Sequence, residues 1–186
     1  IFFYLNKMAE LHIIFGCMYS GKSSELLKII NTYKLLDKSV LCINHSLDTR
    51  YGTNKIISHD RKEEYCFQVD NLTHVETLDI YKKSEILVIE EGHFFKDLVS
   101  FVKNSLSKNK KIYVAGLNGD YQQKSIGSIN DLIPICDSVK KLDALCLICK
   151  NGTKAIFTKR ITDSRDQFIV GSTETYIPVC RKHLES

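Results

Sequence analysis

GCMYSGKSSELL, residues 16–27, is the stretch from which the rest of this chain can be read. Two glycines, Gly16 and Gly21, enclose four residues and are followed at once by Lys22 and Ser23. Ahead of the turn, LHIIF at 11–15 is a short apolar run ending in glycine, the mark of a buried strand. Behind it, SSELLKIINTYKLL places Leu26, Leu27, Ile29, Ile30, Tyr33 and Leu36 at helical spacing. A glycine-rich turn lets successive backbone N–H groups curl inward toward phosphate oxygens, and the following helix aims its positive end at the same place. Gly-x4-Gly-Lys-Ser is the P-loop pattern: the lysine supplies a point charge to the β- and γ-phosphates, and the Ser23 hydroxyl is placed for Mg²⁺. Gly16, Met18, Tyr19, Ser20, Gly21, Lys22, Ser23 and Ser24 are the candidate contacts for the phosphates of ATP. A plain glycine turn is the alternative, and the strand before and helix after argue against it.

Further along, SVLCIN (39–44) and KIYVAGLNG (111–119) read as strands, and EILVIEEGH (85–93) as a strand ending in two carboxylates. FFKDLVSFVKNSLSKN (94–109) reads as a helix with Phe94, Leu98, Phe101 or Val102, and Leu106 on one face. Residues 45–66 are polar and suggest a long loop or a weak hairpin. Strands alternating with helices imply an α/β fold of the P-loop NTPase type, a parallel sheet flanked by helices. The continuously apolar strands fit strands buried on both faces. From about Leu142 the texture changes: cysteines come in pairs, and KNGT and TDSRDQ are turn-like. The expected organisation is a leader or upstream scar over 1–7, a nucleotide-binding domain over 8–141 and a small zinc-containing domain over 142–186. A native edge strand is an equal alternative for residues 1–7.

A P-loop enzyme needs an acidic residue after a later strand to hold magnesium. ILVIEE offers Glu90 and Glu91, and successive side chains at a strand end point in different directions. One can face the metal while the other serves as a general base for a hydroxyl nucleophile.

Cys146-x2-Cys149 is followed, after the thirty residues 150–179, by Cys180-x2-His183. Two short chelating pairs make a closed tetrahedral Cys3His site for zinc, structural because no coordination position stays open. Cys17, Cys42, Cys66 and Cys136 read as small buried hydrophobes. Seven cysteines, an odd count without a secretion signal, argue against a disulfide framework. The net charge of +4 suits anionic small molecules and is thin support for a nucleic-acid surface. No apolar run approaches the roughly 20 residues that span a bilayer.

Taken together, GCMYSGKSSELL, DTRYGT, VIEEGHFFKDL, VAGLNGDYQQKSIG, VKKLDALCLIC, FTKR and ETYIPVCRKH follow the order found in type II thymidine kinases, which this chain resembles from about residue 10 to 185. The family includes cellular cytosolic and poxvirus enzymes. The resemblance implies ATP-dependent 5′-phosphorylation of thymidine, and of deoxyuridine, with Mg²⁺, a structural zinc, a homotetramer, feedback inhibition by dTTP and a cytoplasmic location, in a cell or in an infected host cell. It implies Glu91 as the base, Glu90 on the magnesium side, and Asp48 and Arg50 near the phosphates. It places thymidine against Met18, Glu91, Phe94, Leu117, Tyr121, Thr158, Gln167, Phe168, Ile169, Val170, Gly171 and Tyr176, the segment from Thr158 to Tyr176 closing over the base. The chain departs from the family pattern in several places. Glu90 stands where Asp is usual, Tyr121 where Phe is common, His93 for Gln, Ile126 for an aromatic and His183 for a fourth Cys. Two extra residues lie near KNGT.

Two other functions compete. A GTPase switch would need Asn-Lys-x-Asp, and the Asn-Lys pairs beginning at Asn6, Asn54 and Asn109 lack the Asp. A zinc-ribbon nucleic-acid module would need a strong basic face with interleaved aromatics.

Overall fold

The computed structural model of the chain describes residues 8–48, 54–57, 63–163 and 174–184. In chain order, β1 (Glu10–Gly16) leads into α1 (Lys22–Leu35) and β2 (Val40–His45). β3 (Lys55–Ile57), β4 (Glu63–Tyr65) and β5 (Phe67–Val69) follow, then α2 (Asp79–Lys83), β6 (Ile86–Ile89), α3 (Leu98–Ser107), β7 (Lys111–Gly116) and β8 (Ser138–Leu142). Among the described residues, six strands form one sheet in the order β5-β2-β6-β7-β1-β8, and every pairing in it is parallel.

The parallel sheet explains the continuously apolar strands. Leu11, Ile13 and Phe15 of β1 join Leu41, Ile43, Leu87, Ile89, Ile112 and Val114 on one face, packed against Leu98, Phe101 and Val102 of α3. Ile14, Cys42, Ile86, Val88 and Ala115 point to the other face and meet Leu26, Leu27 and Ile30 of α1. Side chains alternate faces at a period of two, and a helix covers each face, so both sets are buried. Each large side chain taken out of water contributes about 1.5–3 kcal/mol, and a one-residue slip would exchange the two faces.

Several expectations are corrected. Phe94 is not on the helix: it lies in a 3-10 turn, Gly92–Phe94, and α3 starts at Leu98, while Phe95 enters the core. Leu36 lies past the end of α1 and is exposed. The 45–66 stretch does contain a hairpin, β3 with β4. Immediately after it, β5 adds an edge strand beside β2 that the sequence did not reveal. β8, at the opposite edge, was also missed. Just before β7, Lys110 is buried and donates to the carbonyls of Tyr81 and Ser84, both at 2.7 Å.

Beyond β8 the chain folds as two antiparallel pairs, β9 (Ala144–Leu145) with β10 (Lys154–Ala155) and β11 (Phe157–Arg160) with β12 (Tyr176–Val179). They share a small core of Ala144, Cys146, Ala155, Val179 and Cys180, and Cys17 from the glycine-rich turn packs into it.

Candidate active site

In a parallel sheet all carboxyl ends lie along one edge, where α/β folds bind ligands. The turn after β1, Asp48 after β2, Glu90 and Glu91 after β6, and Leu117 after β7 are all at that edge.

The turn has the shape its sequence predicts. Gly21 caps α1 at φ 85°, a left-handed conformation natural to glycine. A Cβ at Gly16 would come within 2.1 Å of Ser20 Oγ and 2.9 Å of the Leu142 carbonyl, so the chain closes tightly there. Tyr19 takes φ 65° without being glycine. The Ser20 N–H donates to the Cys17 carbonyl at 3.3 Å. Lys22 is buried, and its ammonium donates to the carbonyls of Gly16 (3.1 Å) and Cys17 (2.9 Å), drawn across the mouth of the turn. Ser24 sits half-buried in the first turn of α1.

The acidic pair meets this turn directly. Ser23 Oγ donates to Glu90 Oε1 at 2.7 Å, across 67 positions of sequence. The Glu90 side chain thus reaches the Ser23 hydroxyl at the start of α1. Glu91 is buried and takes φ 50°, ψ 40°, a costly left-handed conformation for a residue with a Cβ. Its Oε2 lies 3.5 Å from His93 Nδ1, and the same ring nitrogen accepts from the Leu117 N–H at 3.2 Å. The His93 ring stacks at a tilt on Phe94, centroids 4.2 Å apart. Asp48 is buried and accepts from Asn44 Nδ2 at 3.0 Å. Two residues of β11 reach back to the sheet. Thr158 Oγ1 accepts from the Met18 N–H at 3.0 Å, tying the glycine-rich turn to that strand. Arg160 lies with its guanidinium carbon 3.9 Å from the centre of the Tyr121 ring. Tyr176, paired with Arg160 in the β11–β12 register, is buried. The Tyr121 hydroxyl accepts from Gln122 Nε2 at 3.1 Å, so the extra oxygen is satisfied locally. Ile126 is buried. Arg50, Gln167, Phe168, Ile169, Val170 and Gly171 lie outside the described residues.

The sequence expectation did not include Arg160, nor Cys17 as a link between the turn and the small C-terminal core. Both were quoted within motifs, and neither carries a pattern that announces a tertiary contact. Cys17 Sγ donates to the Ala155 carbonyl at 3.4 Å, and burial pushes its thiol up from the ordinary value. Cys42 and Cys66 are buried as expected and lie with their sulfurs in contact, whereas Cys136 is partly exposed.

Cys146, Cys149, Cys180 and His183 bring their ligand atoms within 4.8 Å of one another. His183 Nδ1 is 3.7, 3.3 and 3.4 Å from the sulfurs of Cys146, Cys149 and Cys180, and Cys149 and Cys180 sulfurs are 3.7 Å apart. A tetrahedron with metal–sulfur bonds of about 2.3 Å has edges of roughly 3.8 Å, so the group fits a metal ion such as zinc. Burial pushes the Cys146 thiol up, but N–H groups of Cys149 and Cys180 and the His183 ring outweigh it and bring it down to about 5. That cluster favours a thiolate, the form that ligates metal. Among the described residues no helix is long and apolar enough to cross a membrane.

A family model described as thymidine kinase matches residues 9–184. Thymidine kinase a of Arabidopsis thaliana is 40% identical over 176 residues, covering 92% of this chain and 73% of that protein. The thymidine kinase of Yaba monkey tumor virus (strain VR587) is 37% identical over 176 residues, covering 95% of this chain and 94% of that protein. The cytosolic thymidine kinase of Gallus gallus is 35% identical over 175 residues, covering 92% and 75%.

Proposed function

The chain belongs to the thymidine kinase family, and we propose that it transfers the γ-phosphate of ATP to the 5′-hydroxyl of thymidine, and of deoxyuridine. The observation that carries this reading is the 2.7 Å hydrogen bond from Ser23 to Glu90, which joins the phosphate turn to a pair of carboxylates. Phosphoryl transfer asks mainly for positioning and charge neutralisation, and this junction offers both.

N–H groups of the Gly16–Ser24 turn cradle the phosphates, and Lys22 shifts its ammonium from the Gly16 and Cys17 carbonyls to phosphate oxygens. Ser23 and Glu90 would hold Mg²⁺, which supplies charge neutralisation on the phosphates when bound. Asp48 and Arg50 are the further phosphate-associated residues of this reading. Glu91 takes the proton from the 5′-hydroxyl as its oxygen forms a bond to the γ-phosphorus; the bond to the β–γ bridging oxygen breaks and ADP leaves. The strained backbone at Glu91 supports this assignment, since such strain concentrates at functional sites. Met18, Phe94, Leu117, Tyr121, Thr158 and Tyr176 would surround the nucleoside, with Gln167 to Gly171 over the base. Cys146, Cys149, Cys180 and His183 would hold a structural Zn²⁺ that fixes the β9–β12 unit. That unit, 142–186, would act as a second domain on the 8–141 core. Feedback inhibition by dTTP, a homotetramer and a cytoplasmic location belong to the same reading; no nucleic acid or membrane takes part.

The test is a parallel assay with ATP, Mg²⁺ and thymidine, deoxyuridine, deoxycytidine or deoxyguanosine, counting nucleoside monophosphate. Product from thymidine with little from deoxycytidine or deoxyguanosine is expected. Bound or hydrolysed ATP with no monophosphate from any nucleoside would overturn the reading.

A further inference from the structure

Arg160 ends β11, opposite Tyr176 in the register with β12. It is 8% exposed, rare for an arginine. Its guanidinium carbon is 3.9 Å from the centroid of the Tyr121 ring and 5.1 Å from that of Tyr176, and one terminal nitrogen donates to the Tyr176 hydroxyl. Two positions earlier, on the same face of the strand, Thr158 holds the Met18 N–H. One face of β11 thus touches the phosphate turn at one end and two aromatic side chains at the other. Those aromatics come from distant places: Tyr121 from the connection after β7, Tyr176 from β12. Arg160 touches both.

We propose that Arg160 is a positioning residue for the nucleoside, acting through Tyr121 and Tyr176 rather than by contact with the reacting atoms. The proposal rests on the reading of Tyr121 and Tyr176 as nucleoside contacts. A planar guanidinium can lie flat on one ring while donating in its own plane to a second group. It takes one face of Tyr121 and leaves the other for a planar base, and the hydrogen bond to Tyr176 ties that tyrosine to the same guanidinium. Both tyrosine side chains are thereby held by one guanidinium before any ligand arrives. Lysine has the charge but not the plane, so it cannot hold both contacts at once.

Arg160→Met and Arg160→Lys test this, each alone and combined with Tyr121→Leu. Both arginine variants should raise the KM for thymidine about tenfold, with the KM for ATP unmoved and kcat changed far less than the nucleoside KM. Lysine should fail to restore the wild-type KM. In the double variant, Arg160→Met should add little to Tyr121→Leu, because the arginine acts through that ring. Thermal melting of each variant separates loss of fold from loss of positioning. If Tyr121→Leu raises the thymidine KM while Arg160→Met, folded, leaves it unchanged, the proposal fails and the nucleoside site stands. Additive effects in the double variant, or full rescue by lysine, would also overturn it. If Tyr121→Leu itself leaves the thymidine KM unchanged, the underlying assignment of the site fails instead, and the proposal falls with it.

Discussion

Glycine normally destabilises a position relative to alanine; at residue 91 the order should invert. Glu91 sits at φ 50°, ψ 40°, directly after β6. In this region a Cβ crowds the following carbonyl, at a cost of roughly 1–2 kcal/mol. Glycine escapes that cost but gives up about 0.5–1 kcal/mol through the greater freedom of its unfolded chain. Glu91→Gly should therefore be more stable than Glu91→Ala by about 0.5–1 kcal/mol. For a chain of this length that is a difference of about 1–4 °C in Tm. Comparing the two variants cancels the loss of the carboxylate and of its contact with His93, which they share. Urea and thermal unfolding, followed by far-UV circular dichroism, read the difference. An alanine variant as stable as the glycine variant, or more so, would refute the claim that the backbone here is strained. The same proteins examine the chemistry. Both, and Glu91→Gln, should lose about 10²–10⁴-fold in turnover while ATP binding stays near wild type; full activity in the glutamine variant would remove Glu91 from the base role.

Lys22→Ala should weaken ATP binding and turnover together, as well as loosening a turn whose Gly16 and Cys17 carbonyls it now holds; an unchanged Kd for ATP by calorimetry would take Lys22 out of the phosphate site. Thr158→Val leaves the Met18 N–H without its acceptor and should cost about 1–3 kcal/mol in urea unfolding, Thr158→Ser much less; equal stability of valine and wild type would show the bond contributes nothing. Chelation of the metal, or Cys146→Ser, should raise the thymidine KM, and because Cys17 packs in the same small core the ATP KM should rise with it; constant values in metal-free enzyme would break that link. The folded-state Cys146 thiol lies below its ordinary value, so its contribution is fully present above the unfolded thiol range and is lost as pH falls through about 5. Metal release, followed with a chromophoric chelator, should increase as pH falls and protons compete for the thiolates; metal affinity that does not change with pH would contradict the assignment.

The elements legible from the chain were those whose local pattern and tertiary role coincide. β1, the Gly16–Ser23 turn and α1 announce themselves because the P-loop pattern fixes residue types at fixed offsets within one continuous stretch. Glu90 and Glu91 were readable as the polar end of an apolar strand, and the metal group because chelation imposes two-residue gaps. β8 was not readable: SVKKL lies at the sheet edge with most of its residues exposed, so no apolar pattern marks it. Phe94 and Phe95 resembled the start of α3, but tertiary packing sends Phe95 into the core and puts Phe94 on a turn beside His93.

What the sequence by itself determined is thus the parallel α/β plan, the glycine-rich turn, the acidic pair and the Cys3His group, each encoded by spacing within short segments. What only the tertiary structure decided is how these pieces meet. Ser23 reaches Glu90, Thr158 holds Met18, Cys17 enters the core of the C-terminal strands, and Arg160 bridges Tyr121 and Tyr176. Such contacts join residues tens to more than a hundred positions apart. Their geometry follows from sheet order and packing, and no local periodicity records it.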